Sequence, residues 1–410
     1  MSLKIGDFIA KRAEQVKGSA IREFFSLTEQ EDVISFAGGF PSADYFPLEQ
    51  VKEILMENIS ATGYSFLQYG PTEGVGQLRS SILEYMQRLG VSGEESNLLV
   101  TSGSQQGIDL ICKLLINPGD TVLVEEPGYV GALGAVKNYE GKLVGIPMDQ
   151  KGIRTDILER YLQKIFKNNG KVKFIYLVPD FQNPTGISLS FERRRRLMEL
   201  ASHYDFLIVE DNPYGELRYE GEKLPLLKSM DEEQRVIYLG SFSKIFIPGI
   251  RVGWVLGFKE LITKMISLKQ STDLCSNILG QYLVLGFYQG GHFEQHVKLL
   301  REKYRRKCRV MLKAMEHYFP SQIHWTKPKG GFFIWVTFPS YINAHELLLK
   351  CLKEKVAFVD GKGFFCGCRG DNTARFSFSE QTEEDIVIGI ERIGQILEAE
   401  INSSRLTASR

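Results

Sequence analysis

An excess of charge of either sign is the first thing missing from this 410-residue chain: 50 Lys plus Arg face 50 Asp plus Glu, for a formal net charge of zero. Such a surface has no general attraction for nucleic acid or anionic lipid, so small molecules are the expected partners. Long apolar runs are missing too. Stretches such as Phe174–Val178 suit a buried strand and are too short to span a bilayer. The opening MSLKIGDFIAKRAEQ is charged throughout and lacks the apolar core of a secretory signal. Cysteine is sparse, with six in all, and only Cys366 and Cys368 stand close together. No His or second Cys pair follows them at ligand spacing, so they read as packing and not metal, and no metal site is expected. A reduced, cytoplasmic protein is expected. Low-complexity tracts, Pro-rich linkers and internal repeats are absent from the sequence as well.

What is present is an ordinary globular composition, 43% hydrophobic, on a chain long enough for more than one subdomain. From about residue 98 to 257, short apolar runs alternate with helical patterns, which predicts an α/β sheet. Seven strands are predicted: Leu98–Val100, Val122–Glu125, Leu143–Ile146, Phe174–Val178, Phe206–Glu210, Val236–Leu239 and Val252–Leu256. Their near-continuous hydrophobicity implies burial on both faces under covering helices. One such helix is predicted over Ser190–Tyr204, with Ser190 as N-cap. Its run Arg193–Arg196 goes around the helix and reads as solvated surface, not a nucleic-acid patch. Further on, Phe293, Val297, Leu300, Tyr304, Cys308, Met311, Met315 and Tyr318 step by threes and fours, the pattern of one long amphipathic helix. Gly331–Phe338 and Thr373–Ser379 alternate like strands that pack on one face only.

Polar clusters follow the apolar runs, at the carboxyl ends where open α/β sheets bind ligands. Thr101-Ser102-Gly103-Ser104-Gln105-Gln106-Gly107 opens either an anion site at a helix N-terminus, with free amides at Ser104 and Gln105, or an ordinary capped helix. Tyr129 either fills core or lies flat on a ring. Asn183, in Asn-Pro-Thr-Gly, either caps a turn or donates into the cleft. Asp211 stands just past a buried strand, where a carboxylate is costly unless paired, whether by an arginine or by a protonated heterocycle nitrogen. Ser241, Ser243 and Arg251 can surround a phosphate, with Arg supplying forked donors. Lys244 is then either a further phosphate contact, a surface lysine or the one amine of the group. Taken together, the ordered set provides for a phosphate, an aromatic ring, a pyridine nitrogen and an aldehyde, and pyridoxal phosphate has all four.

On these residues, and on SFAGGFPSADYFP (35–47), QYGPTEG (68–74), FQNPTG (181–186), EDNPYGELRYEG (210–221) and GSFSKIFIPGIRVGW (240–254), the chain resembles the fold-type I, class I/II aminotransferases over nearly its whole length. It is most similar to the subgroup of 2-aminoadipate, kynurenine and lysine-pathway enzymes. The resemblance implies a large domain with a mostly parallel seven-stranded sheet plus a smaller α+β domain. It divides the chain into an N-terminal arm or small-domain segment at 1–45, a large cofactor-binding domain at 46–290 and a small domain at 291–410 entered by the long helix. It implies pyridoxal 5'-phosphate held as a Schiff base on Lys244, with Asp211 on the pyridinium nitrogen. Tyr214 and Asn183 meet the ring's phenolic oxygen, and Tyr129 stacks on its face. Ser104, Gln105, Ser241, Ser243 and Arg251 hold the phosphate. Tyr69 reaches the phosphate of a neighbouring subunit, implying a homodimer. Arg375 clamps the substrate α-carboxylate, Gly39 leaves space at the pocket mouth, and Arg22 either binds a side-chain carboxylate or is a surface arginine.

The expected activity is transfer of an amino group from an α-amino acid to a 2-oxo acid, with 2-oxoglutarate as the acceptor, by a ping-pong mechanism. Departures from the pattern are Ile245 after the lysine, where Thr or Ser is usual, the missing Pro-Gly at Val359-Asp360-Gly361, and the unusual Cys366 and Cys368. Two other readings keep the same cofactor residues. One is a non-catalytic regulatory domain, which calls for a DNA-binding domain ahead of residue 35 and leaves it no room. The other is a lyase or decarboxylase, which Arg375 and the subgroup signatures disfavour.

Overall fold

The apolar runs of the middle of the chain become one sheet in the computed structural model, which describes residues 8–14 and 32–408. Its strands lie in the order Leu98–Thr101, Gly253–Leu256, Val236–Ser241, Leu207–Asp211, Val172–Leu177, Thr121–Glu126, Lys142–Asp149 and Gly152–Ile153. All seven predicted strands are there. The eighth, Gly152–Ile153, is a two-residue antiparallel hairpin return on Lys142–Asp149, too short to leave a periodic signal. Gly253–Leu256 runs antiparallel to both neighbours, and the pairings from Lys142–Asp149 across to Val236–Ser241 are parallel. Parallel strands need covering on both faces, and residues such as Leu123, Ile175, Ile208 and Val209 are accordingly buried on one face or the other.

The helix Phe191–His203 starts as predicted, the Ser190 hydroxyl accepting from the Arg193 amide. Its arginines, however, are not all solvated. Arg194 is fully buried, donating to Asp180 at 2.9 Å and to the carbonyls of Leu189, Pro179 and Pro225, while Arg193 makes a two-pronged pair with Asp149. A buried guanidinium is tolerated here because each of its nitrogens finds an acceptor.

The long predicted helix is His292–Tyr318. With Glu383–Ala408 it packs the C-terminal part around an antiparallel sheet ordered His324–Trp325, Phe333–Thr337, Thr373–Ser377, Val359–Asp360. One-faced packing does not hold for this sheet. Thr373–Ser377 is buried at every position, and Phe36 and Ala37 lie against it, their carbonyls accepting from the Ser377 amide and the Arg375 side chain. Upstream, Ile34–Ser35 pairs in parallel with Val356–Ala357. The fold is a large α/β unit and a smaller α+β unit. Among the described residues no helix is long and apolar enough to cross a membrane.

Candidate active site

A cleft of about 480 Å³ opens at the carboxyl ends of the large sheet, and Gly39 and Arg375 close its other side. Of the residues singled out from sequence, Gly39, Ser104, Gln105, Tyr129, Asn183, Asp211, Tyr214, Ser241, Ser243, Lys244, Arg251 and Arg375 line it. Tyr69 does not, and is 78% exposed. Arg22 lies outside the described residues.

One end is built to receive an anion. The helix Ser104–Leu115 begins after Gly103, whose φ of 78° suits glycine. A Cβ there would also run into the Arg251 guanidinium. Arg251 is itself left-handed at φ 54°, and its Nη1 donates to the Ser243 hydroxyl at 3.3 Å. Ser241 Oγ accepts from the Ser243 amide at 3.1 Å. Guanidinium, hydroxyls and helix N-terminus thus gather around one small volume. Alongside it, the Tyr129 hydroxyl donates to Gln105 Oε1 at 3.2 Å, fixing the ring over the cleft.

At the strand end, Asp211 is 2% exposed. Its Oδ2 accepts from the Tyr176 hydroxyl at 2.6 Å, and its Oδ1 is buried with no partner. Burial pushes the carboxyl up to about 7, against the pull of Tyr176 and of Lys244. A carboxylate in this state is short of a cation. Tyr176 carries no signal in the sequence because it sits inside an apolar strand, where a tyrosine reads as core.

Lys244 follows the strand Val236–Ser241 and donates from Nζ to the Gly39 carbonyl at 2.9 Å. Burial, with Arg375 and Arg251 adding repulsion, brings its amine down to about 8. Across the cleft, Arg375 donates to Asn183 Oδ1 at 3.0 Å and to the Ala37 carbonyl at 2.6 Å. Its guanidinium lies 4.5 Å from the Phe333 ring centroid and 5.3 Å from that of Phe364. Burial lowers it to about 10. Tyr214, buried edge-on against Phe333, stands beside Asn183, and burial raises its hydroxyl well above the usual range. Of the three departures from the family pattern, Ile245 is buried core, and the Cys366 amide donates to Glu126 at 3.1 Å.

An anion cradle, a buried carboxylate with one oxygen unpartnered, a tyrosine lining the cleft beside them and a buried amine together are the marks of a pyridoxal-phosphate enzyme of fold-type I. The residues fit that cofactor: the unpaired Asp211 oxygen is what a protonated ring nitrogen satisfies, and the Gly103 turn leaves room that a side chain would fill. The comparisons agree. The family model for aminotransferase class I and II matches residues 31–393, and the chain belongs to that family. An aromatic-amino-acid aminotransferase of Thermococcus litoralis is 44% identical over 395 residues, 96% of this chain and 95% of that one. The crystal structure of a Pyrococcus horikoshii kynurenine aminotransferase, in complex with PMP and kynurenine, superposes with a TM-score of 0.94 at 42% identity, covering 97% of this chain and 98% of that one. The α-aminoadipate aminotransferase of Thermus thermophilus, complexed with a phosphopyridoxyl-leucine, gives 0.91 at 34%, covering 98% and 100%. The protein is a pyridoxal-phosphate-dependent aminotransferase acting on amino acids.

Proposed function

We propose that the enzyme moves the amino group of aromatic and other large apolar α-amino acids to 2-oxoglutarate. The observation that carries this reading is the distribution of charge in the cleft. Among the described residues its cations are Lys244, Arg251 and Arg375, and each has an assignment: cofactor amine, phosphate and α-carboxylate. None is left for an acidic side chain. The walls are apolar instead: Phe40, Val130 and Val178 line the cleft, and Trp335, Phe364 and Ala37 form an apolar cluster against which Val130 packs. The Thermococcus relative, named for aromatic donors, supports the same choice.

Bound pyridoxal phosphate supplies an electron sink for the pair left when the substrate's Cα–H bond breaks. Ser104, Gln105, Ser241, Ser243 and Arg251 hold its phosphate, Tyr129 covers its ring, and Tyr214 and Asn183 hydrogen-bond its phenolic oxygen. Asp211 keeps the ring nitrogen protonated, worth about 1–3 pKa units for an adjacent opposite charge. Arg375 grips the α-carboxylate over the face of Phe333 and so orients the Cα–H bond. Lys244 would hold the cofactor through its amine, and it is the base placed in the cleft to take the substrate's Cα proton and return it. An amine near 8 is about one-tenth unprotonated at pH 7, against well under a thousandth for an ordinary lysine.

The working form on this reading is a cytoplasmic homodimer. In support, Leu48, Met56, Ile59, Tyr64, Leu67 and Tyr69 are large side chains left exposed close together in sequence. Tyr69 is absent from its own cleft and is free to reach a partner's phosphate. We divide the chain into an N-terminal arm and small-domain segment at 1–45, a large domain at 46–290 and a small domain at 291–410; the pairing of Ile34–Ser35 on Val356–Ala357 supports assigning the first segment to the small domain.

A donor panel with 2-oxoglutarate tests the reading: phenylalanine, tyrosine and kynurenine should outrun glutamate and 2-aminoadipate in kcat/KM by at least about tenfold, the effect of about 1.4 kcal/mol. Acidic donors leading the panel would overturn it and turn attention to Arg22. Products that form without a 2-oxo acid would point to a lyase.

A further inference from the structure

Asp273 does not line the cleft, yet it reaches both flanks of the anion turn. It is the last residue of the helix Lys259–Asp273, where a carboxylate meets the unfavourable negative end of the helix dipole. Lys269, whose side chain is fully buried, compensates it with Nζ 2.6 Å from Oδ1. A buried ammonium of this kind is costly unless paired, so the pair is held as a unit. The second oxygen, Oδ2, accepts from Gln106 Nε2 at 2.6 Å and from Ser102 Oγ at 3.2 Å. Gln106 turns its amide oxygen to the Ser102 backbone N–H at 2.8 Å. The ring of bonds closes over Ser102 and Gln106, the residues immediately before and after Gly103-Ser104-Gln105. Ser102 passes the constraint on, because its carbonyl accepts from Arg251 Nη2 at 3.2 Å.

We propose that Asp273, neutralised by Lys269, is a positioning residue for the cofactor's phosphate. It fixes Ser102 and Gln106 so that the Ser104 and Gln105 amides and the Arg251 guanidinium converge on one anion. This rests on the assignment of that end of the cleft to phosphate.

The test compares pyridoxal phosphate with pyridoxal, the same aldehyde without the phosphate, by absorbance titration of cofactor-stripped enzyme. Wild type should bind pyridoxal phosphate far more tightly than pyridoxal. Asp273→Ala should weaken pyridoxal phosphate about tenfold and pyridoxal less than about twofold, the size expected for charge-assisted hydrogen bonds lost on one side only. Gln106→Ala keeps the Lys269–Asp273 pair and should show the same selectivity with a loss of about three- to fivefold; it decides the matter if Asp273→Ala fails to fold. Full affinity for pyridoxal phosphate in a folded variant, or equal losses for both ligands, overturns the role of Asp273. A wild type that binds both ligands alike overturns instead the phosphate assignment beneath it.

Discussion

The Tyr176 hydroxyl donates to one oxygen of Asp211 at 2.6 Å, and the other oxygen is buried with nothing to accept from. The pair comes from neighbouring parallel strands, in register Tyr176 with Val209 and Leu177 with Glu210. The tyrosine orients the carboxylate and stabilises its charge without occupying the oxygen that the cofactor needs. Tyr176→Phe should leave the cofactor bound and cut kcat by about ten- to a hundredfold, the effect of about 1.5–3 kcal/mol for one hydrogen bond to a charged group. Unchanged turnover would make Tyr176 a packing residue only.

Asp211→Asn separates activity from stability. With the charge gone, turnover should fall by about a thousandfold or more while the cofactor still binds, since the ring nitrogen loses the anion that keeps it protonated. In the cofactor-free protein the same change should stabilise. The native carboxyl titrates near 7 and the unfolded one near 3.8, so the native state holds more protons between those values and stability falls as pH rises through them. Asparagine escapes that loss. Its advantage should be absent at pH 4 and reach about 2–4 kcal/mol above pH 7, at about 1.4 kcal/mol per unit. Chemical denaturation of stripped wild type and variant at several pH values checks it.

Arg375→Lys keeps a positive charge and loses the fork that meets Asn183 and the Ala37 carbonyl together. KM for the amino donor should rise by about a hundredfold, with a smaller fall in kcat, because a lysine cannot hold a carboxylate two-pronged. Steady-state kinetics with one aromatic donor measures it, and an unchanged KM would remove Arg375 from substrate binding.

Gly103→Ala should damage the phosphate end alone. The added methyl meets both an unfavourable φ of 78° and the Arg251 guanidinium. A loss of cofactor affinity exceeding about tenfold is expected, with pyridoxal binding spared.

Capture of cofactor should follow the state of Lys244. Only the unprotonated amine attacks an aldehyde, so the rate should climb from pH 6 and level off above about 8. A climb continuing to pH 10 would mean an ordinary, solvated lysine.

Much of this site is legible in the sequence because its groups stand at strand ends, and strand ends announce themselves where an apolar run stops. Lys244, Asp211 and Asn183 are all found that way. What stayed hidden depends on pairing across the sheet or between units. Tyr176 and Arg194 read as core and as solvated surface until their partners, Asp211 and Asp180, are brought to them from 35 and 14 residues away. Thr373–Ser377 reads as half-exposed because Phe36 and Ala37, which bond to it, come from more than 300 residues upstream. Asp273 carries no motif, and its hold on Ser102 spans 171 residues.

The most direct test of the account is to reduce the cofactor-loaded enzyme with borohydride and locate the phosphopyridoxyl group by peptide mass spectrometry. A single modified residue, Lys244, is predicted, with none in Lys244→Ala. A label on another lysine, or enzyme that stays colourless and unmodified, would contradict it.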